Sequence, residues 1–330
     1  MKVDWLRSLL AQKLPALLYR TDEGRWRRWL WRKLYLYYAK GRLPIRVQLH
    51  GRTLVLNAAN PYPFILADAP LFNSGLVAAA TCLRLHLKRP LRIVDVGASI
   101  GDTIVLLNHC LPGGIESCLC IDGEKENQPF FLANTNGIPG ISMHFAMLSA
   151  RVADMPSLIR HHPGTAMAAG DGRVPSETLD RLLAACGNAG KCDLLKIDVD
   201  GGDGEVLLGA GKTLLNQQPL VIFEWHPFLI QLCGNDHCAA FSALAAAGYS
   251  KMLWFSNRGV LSHLTTIPTR AEIDWWRDLL VARNRPLGPH FDIIAFPPAW
   301  NSLVDTITQA AAYPPCPDRQ MSTQCGLGYK

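Results

Sequence analysis

The chain changes its hydrophobic rhythm twice. Through residue 40, Trp26, Leu30, Lys33, Leu34 and Tyr37 recur at helical spacing with arginines between them, which predicts a helical start. Residues 44–57 alternate instead, at Ile45, Val47 and Leu49 and again at Leu54 and Leu56. With Gly51-Arg52 between the two runs, this predicts a hairpin. Asn60-Pro61-Tyr62-Pro63 reads as a loop. From residue 91, short apolar runs alternate with longer helical segments. The runs cover 92–97, 117–122, 142–148, 193–200, 220–225, 249–255 and 291–296. The first five are near-continuous in Ile, Val, Leu, Cys and Phe, as strands buried on both faces of a parallel sheet must be. The alternation predicts a doubly wound α/β sheet. The last two runs are expected to close it as an antiparallel pair, across a connection that holds Trp275 and Trp276. The expected organisation is an N-terminal basic extension over 1–90, an α/β domain over 91–298 and a loosely packed tail over 299–330, rich in Pro, Ser, Thr, Gln and Cys.

Composition narrows the function classes. Of the 330 residues, 49% are hydrophobic and 18% charged, enough for a substantial core and against a disordered chain. The net charge of +6 is concentrated early, at Arg20, Arg25, Arg27, Arg28, Arg32, Lys33, Lys40, Arg42 and Arg46. Nothing downstream resembles a nucleic-acid module, so no nucleic-acid partner is expected. Aromatics interleave with these arginines at Trp26, Trp29, Trp31, Tyr35, Tyr37 and Tyr38. Such a stripe over residues 20–40 suits packing on the sheet or on a second subunit, as in a homodimer. Peripheral contact with an anionic membrane is the alternative. Ten scattered cysteines, without a recognisable signal peptide or an eighteen-residue apolar stretch, predict a reduced, cytoplasmic protein.

The first run of the α/β domain ends in Asp95-Val96-Gly97-Ala98-Ser99-Ile100-Gly101-Asp102-Thr103. A strand that feeds a Gly-containing turn and a helix start makes a nucleoside or anion site. The spacing is Gly-x-x-x-Gly rather than Gly-x-Gly-x-x-Gly, and Asp95 and Asp102 make the turn acidic. An acidic turn suits a cationic sulfonium ligand better than a pyrophosphate. Gly97 is expected to let the backbone approach the ligand, and Gly101 to let the helix pack on the strand. Asp95, Gly97, Ala98, Gly101, Asp102 and Thr103 are therefore candidate cofactor-binding residues, joined by Asp122 and Gly123 at the end of the second run. An acid there accepts hydrogen bonds from the two hydroxyls of a ribose. Asp122 is the first choice and Glu124 the alternative.

The fourth run reads Leu194-Leu195-Lys196-Ile197-Asp198-Val199-Asp200-Gly201, and the fifth ends Phe223-Glu224-Trp225-His226-Pro227. Period two puts Lys196, Asp198 and Asp200 on one strand face. Asp198, Glu224 and His226 thus reach the edge where open α/β sheets bind ligands. They are the candidate catalytic residues, each able to take a hydroxyl proton. Asp200, Asp203 and Glu205 read as structural acids for the turn and the helix that follows. A divalent ion on Asp198 and Glu224 is conceivable but not expected: Gly202, Asp203 and Gly209 break the calcium-loop pattern. His226, Cys233, His237 and Cys238 match no zinc-finger spacing.

Several of these strings together resemble the FkbM family of methyltransferases. Asp95–Thr103 is similar to its Asp-Val-Gly-Ala-Asn-x-Gly-Asp segment, and Asp122, Asn127 and Asn134 to its Glu-Pro-x-x-x-Asn…Asn stretch. Thr178-Leu179-Asp180 is similar to Thr-Leu-Asp. Leu195–Gly201 with Glu205-Val206-Leu207 and Gly209-Ala210 is similar to Leu-Lys-Ile-Asp-Val-Glu-Gly…Glu-Val-Leu-x-Gly-Ala. Asp122-Gly123 stands where Glu-Pro is usual, Asp200 where Glu is, and Ser99 where Asn is. The resemblance implies a Rossmann-like, seven-stranded class I methyltransferase sheet, mostly parallel with an antiparallel last strand. It also implies S-adenosyl-L-methionine as cofactor and a small-molecule or glycan acceptor, a sugar-borne or polyketide hydroxyl. The competing readings are a nicotinamide-dependent oxidoreductase, which the missing Gly-x-Gly-x-x-Gly disfavours, and a non-catalytic nucleoside-binding module.

Overall fold

The computed structural model describes residues 43–312 apart from 59, 163–164 and 282–288. The helix expected within residues 1–40 lies outside them. The first described element is the expected hairpin, β1 (Pro44–Leu49) against β2 (Arg52–Asn57), with Leu49 opposite Arg52. Its two-residue turn is His50-Gly51, both at positive φ (52° and 67°), one position earlier than the pattern suggested. That conformation matches the twist of a tight hairpin. The stretch read as a loop starts a short helix, α1 (Tyr62–Asp68), whose early prolines occupy the turn where a missing N–H costs nothing. The longer α2 (Ser74–Leu87) follows.

An eight-stranded sheet forms the centre. Its strands are β3 (Leu91–Val96), β4 (Ile115–Asp122), β5 (Ile141–Phe145), β9 (Leu194–Ile197), β10 (Leu220–Trp225), β11 (Lys251–Ser256), β12 (Leu261–Thr266) and β13 (Phe291–Phe296). Their order is β12-β11-β13-β10-β9-β3-β4-β5. β5, β4, β3, β9 and β10 run parallel, and β13 enters antiparallel between β10 and β11. All seven expected runs are strands of this sheet. The eighth, β12, extends the edge beyond β11, inside what the sequence showed as a connection.

Helices cover both faces because both faces are apolar. Val94 and Val96 of β3 join one core with α5 (Leu179–Ala185), α6 (Asp203–Leu208), α7 (Gly211–Gln217), α9 (Ala239–Ala246) and Ile273 of α10 (Arg270–Val281). Ile93 points to the other, with α2, α3 (Asp102–Cys110), α4 (Gln128–Thr135) and α11 (Val304–Ala312). The tail therefore begins packed rather than loose. Val304, Ile307 and Ala311 recur at helical spacing and are buried. The Thr178-Leu179-Asp180 string has a structural task. Thr178 caps α5 through Arg181 N at 3.3 Å, while the Asp180 carboxylate takes Lys212 N and Thr213 N, both at 2.8 Å, at the start of α7.

Between β5 and α5 the chain builds a second, small sheet. It contains β6 (Met147–Leu148) and a long hairpin, β7 (Asp154–His162) and β8 (Thr165–Glu177), in the order β6-β8-β7. Among the described residues no helix is long and apolar enough to cross a membrane.

Candidate active site

The connections run in opposite directions from β3: its neighbours are β4 on one side and β9 on the other. Open α/β sheets bind ligands in the crevice that such a reversal leaves at the carboxyl ends of the strands. Gly97 begins the turn there, at φ 84°. A Cβ on it would lie 1.8 Å from the Asp198 carbonyl oxygen, so the close approach that demands glycine is to the neighbouring strand's backbone. Gly101, at φ 79°, yields to α4 rather than to the strand: a Cβ there would be 2.7 Å from Thr135 Cγ2. Asn134 of α4 ties the β1–β2 hairpin to this turn. Its amide accepts from Val55 N at 2.6 Å and donates to Val55 O and Ile100 O at 2.9 Å each.

The Asp122 carboxylate receives two backbone N–H groups, Ser99 at 2.7 Å and Glu124 at 2.6 Å. Ser99 takes a left-handed conformation, φ 46°, as its N–H turns to the acid. Burial nonetheless pushes Asp122 up to about 6. Glu124, the alternative ribose acid, is already engaged by Arg160 and by Asn127 Nδ2 at 3.3 Å. Burial raises Asp102, in the first turn of α3, to about 6 as well.

A cavity of about 220 Å³ opens over this turn. Gly97, Asp102, Thr103, Asp122, Gly123 and Asp198 all line it. Asp95, Ala98 and Gly101 do not reach it. Asp95 is fully buried, and neither of its carboxylate oxygens has a hydrogen-bond partner among the described residues. Lys196 lies between two acids, 3.5 Å from Asp95 and 3.2 Å from Asp198. Burial alone would lower the lysine, but Asp198, Asp95 and Asp102 hold it above its ordinary range. Asp198 is the outward member, its side chain 46% exposed.

β9 ends at Ile197, because the backbone turns left-handed at Asp200 (φ 52°) and Gly201 (φ 92°). Asp198 and Asp200 therefore do not share a strand face as period two predicted. Asp203 carries the structural load expected of it, accepting from Glu224 N at 3.1 Å and Val199 N at 3.3 Å. Glu224 and His226 stand outside the cavity lining. Glu224 faces Asp292 across the β10–β13 pairing and lies 3.3 Å from His290 Nε2. Burial, then Asp198 and the other acids nearby, push its carboxyl well up. His226 stacks on His290 at 4.5 Å, and its Nδ1 accepts from Leu229 N at 3.5 Å, capping α8 (Pro227–Leu232).

Residues 121–251 match the model of the methyltransferase FkbM domain. The match takes in Asp122, Lys196, Asp198 and Glu224 and begins after the Gly97 turn. No curated protein matches in sequence. Solved structures similar to this chain include methyltransferase FkbM from Methylobacillus flagellatus KT, at 16% identity and TM-score 0.37, over 49% of this chain and 39% of that one. The chain thus spans well under half of that protein's length. Precorrin-6y C5,15-methyltransferase from Geobacter metallireducens GS-15 shares 14% identity at TM-score 0.34, over 67% of this chain and 86% of that one. A ribosomal protein L11 methylase from Lactobacillus delbrueckii subsp. bulgaricus shares 18% at 0.30, over 66% and 76%.

Within the matched residues, sequence reasoning missed the β7–β8 hairpin, which lines the cavity with Met155, Leu158, Arg160, Ala166 and Ala168. Its Ala166 N donates to Asp200 Oδ2 at 3.0 Å. The visible signal was Pro163-Gly164, a turn dipeptide. The flanking segments hold too few β-branched residues to read as strands. Also missed was the wall ahead of the matched residues, where Asn60, Tyr62, Phe72 and Asn73 close another side.

Proposed function

We propose that the protein is an S-adenosyl-L-methionine-dependent O-methyltransferase acting on a hydroxyl of a sugar-containing or polyketide-like small molecule. The observation that carries this is the charge of the cavity. Among the described residues, Asp102, Asp122, Glu124, Asp198 and Asp200 face it, against Arg160 and Lys196. A pyrophosphate would meet this excess of carboxylates as repulsion, whereas a ligand with a sulfonium and an ammonium offsets it. The residues fit such a ligand at two points. Each Asp122 oxygen spends one acceptor site on a backbone N–H and keeps another for a ribose hydroxyl. Asp102 lines the cavity with its charged form disfavoured by burial, so a nearby ammonium would favour that form.

When bound, the cofactor supplies an electrophilic methyl group. The chain's own part is to hold an acceptor hydroxyl in line and take its proton. Asp198, exposed to the cavity and fixed by Lys196, is placed to accept that proton. Glu224, outside the cavity lining and 3.3 Å from His290, and His226, which holds the start of α8, act on the site only indirectly. The β7–β8 hairpin and the 60–73 wall restrict water. The hydroxyl and the acceptor class rest on the likeness to the family.

The test is calorimetric binding of S-adenosylhomocysteine against NAD, for wild type, Asp122→Ala and Asp198→Asn. Binding of the former alone is expected, lost in Asp122→Ala and kept in Asp198→Asn. Preferential NAD binding would overturn the reading.

A further inference from the structure

The β7–β8 hairpin lies across the cavity and touches the strand ends on both sides of it. Ala166 reaches Asp200, which follows β9. Arg160 reaches Glu124, which follows β4. The second contact leads straight to the nucleoside acid, because Glu124's own N–H donates to Asp122 Oδ1 at 2.6 Å. Leu158, two residues before Arg160, lies on the same β7 face. It sits over Gly123, 3.3 Å from where a Cβ would be. The hairpin therefore grips the whole Asp122-Gly123-Glu124 segment, by apolar contact at its centre and by an ion pair at its end. That pair is partly shielded, with side chains 31% and 15% exposed, so it is screened less than a surface pair.

We propose that Arg160 is a positioning residue: by pairing with Glu124 it fixes the backbone amide that aims Asp122, so that nucleoside binding depends on the hairpin being seated. The proposal rests on the cofactor reading above. With the pair broken, Glu124 keeps, among the described residues, its contact with Asn127, and the Asp122 carboxylate loses a fixed donor. Arg160 itself need not touch the ligand.

The experiment is a double-mutant cycle on S-adenosylhomocysteine affinity, measured by calorimetry with the full chain. Arg160→Gln and Glu124→Gln are each expected to weaken binding about three- to tenfold, and the double variant no further than the weaker single. Arg160→Lys should recover part of the loss. The unfolding midpoint without ligand should stay within about 1 °C of wild type in the Gln variants, since an ion pair of this kind adds little to stability. Unchanged affinity in both singles, or losses that simply add in the double, would overturn the positioning role while leaving the cofactor reading intact. A far larger loss in Glu124→Gln than in Arg160→Gln would put Glu124 itself on the ligand and overturn it too. So would a loss of affinity matched by a fall in the ligand-free midpoint. No binding by the wild type would remove the cofactor reading and this inference together.

Discussion

Gly97 and Asp122 are both fixed by the turn between β3 and α3, for different physical reasons. Gly97 is a matter of space and dihedral: a methyl group would meet the Asp198 carbonyl at 1.8 Å, at a φ that side chains avoid. Gly97→Ala is therefore expected to cost about 3 kcal/mol or more, read as a lower urea midpoint. A loss below about 1 kcal/mol would mean that β9 can move aside. Asp122 is a matter of charge: in the proposed reading ribose hydroxyls donate best to its ionised form, and burial raises it to about 6. These two residues were legible because a strand-end glycine and a strand-end acid leave fixed marks in a sequence. Asp198 was legible for the same reason. Arg160 was not, since its significance depends on where a hairpin lies, and neither spacing nor residue type reports that. Glu224 and His226 were placed at the right strand end, but the direction in which each side chain leaves it was beyond a periodicity argument.

The elements that the sequence revealed most clearly are those under the strongest constraint. Strands buried on both faces admit little but Ile, Val, Leu, Cys and Phe, so β3, β4, β9 and β10 stood out. β12 has only one strand neighbour and alternates exposed with half-buried positions, and it passed for a connection. The β7–β8 hairpin is bent by irregular register near Pro156 and Arg160, which erased its alternation. Helix capping is testable at this scale. Asp180 accepts Lys212 N, Thr213 N and the Thr213 hydroxyl, at 2.8, 2.8 and 2.7 Å. Asp180→Ala should cost roughly 1–3 kcal/mol by leaving these donors without their acceptor. Asp180→Asn should recover part of that in the same chemical unfolding assay. Equal losses in both variants would show that charge, not hydrogen bonding, is what Asp180 contributes.

Across the whole molecule, buried acids set the response to pH. Burial above all raises Asp102 and Asp122 to about 6 and Asp203 and Asp292 to about 7. A carboxyl raised by folding favours the folded state fully below its ordinary value near 4, and that contribution is lost as pH rises through about 6 to 7. Asp193 works in the opposite sense. Burial opposes its charge, but Arg89 and Arg92 hold it down to about 2, so its contribution disappears only as pH falls from about 4. Without ligand, the midpoint in scanning calorimetry should be at least about 3 °C higher at pH 5 than at pH 8. A sulfonium or amino ligand should stabilise the protein more at pH 8, where the acids are ionised. A midpoint that climbs steadily from pH 5 to 8 would show that these carboxyls are better solvated than their burial implies.

The position of β13 bears on how the protein is made. It is the last of the described strands, yet it stands between β10 and β11. During synthesis, β10 and β11 emerge with no partner for their facing edges until residues 291–296 follow. At about 5–20 residues per second, the β10 edge waits several seconds on the ribosome. An uncovered, apolar strand edge is a template for foreign strands. A nascent chain paused before β13 should therefore hold trigger-factor-like or other chaperones longer than one paused after it. Truncations that end between β11 and β13 should be the most aggregation-prone fragments of this polypeptide.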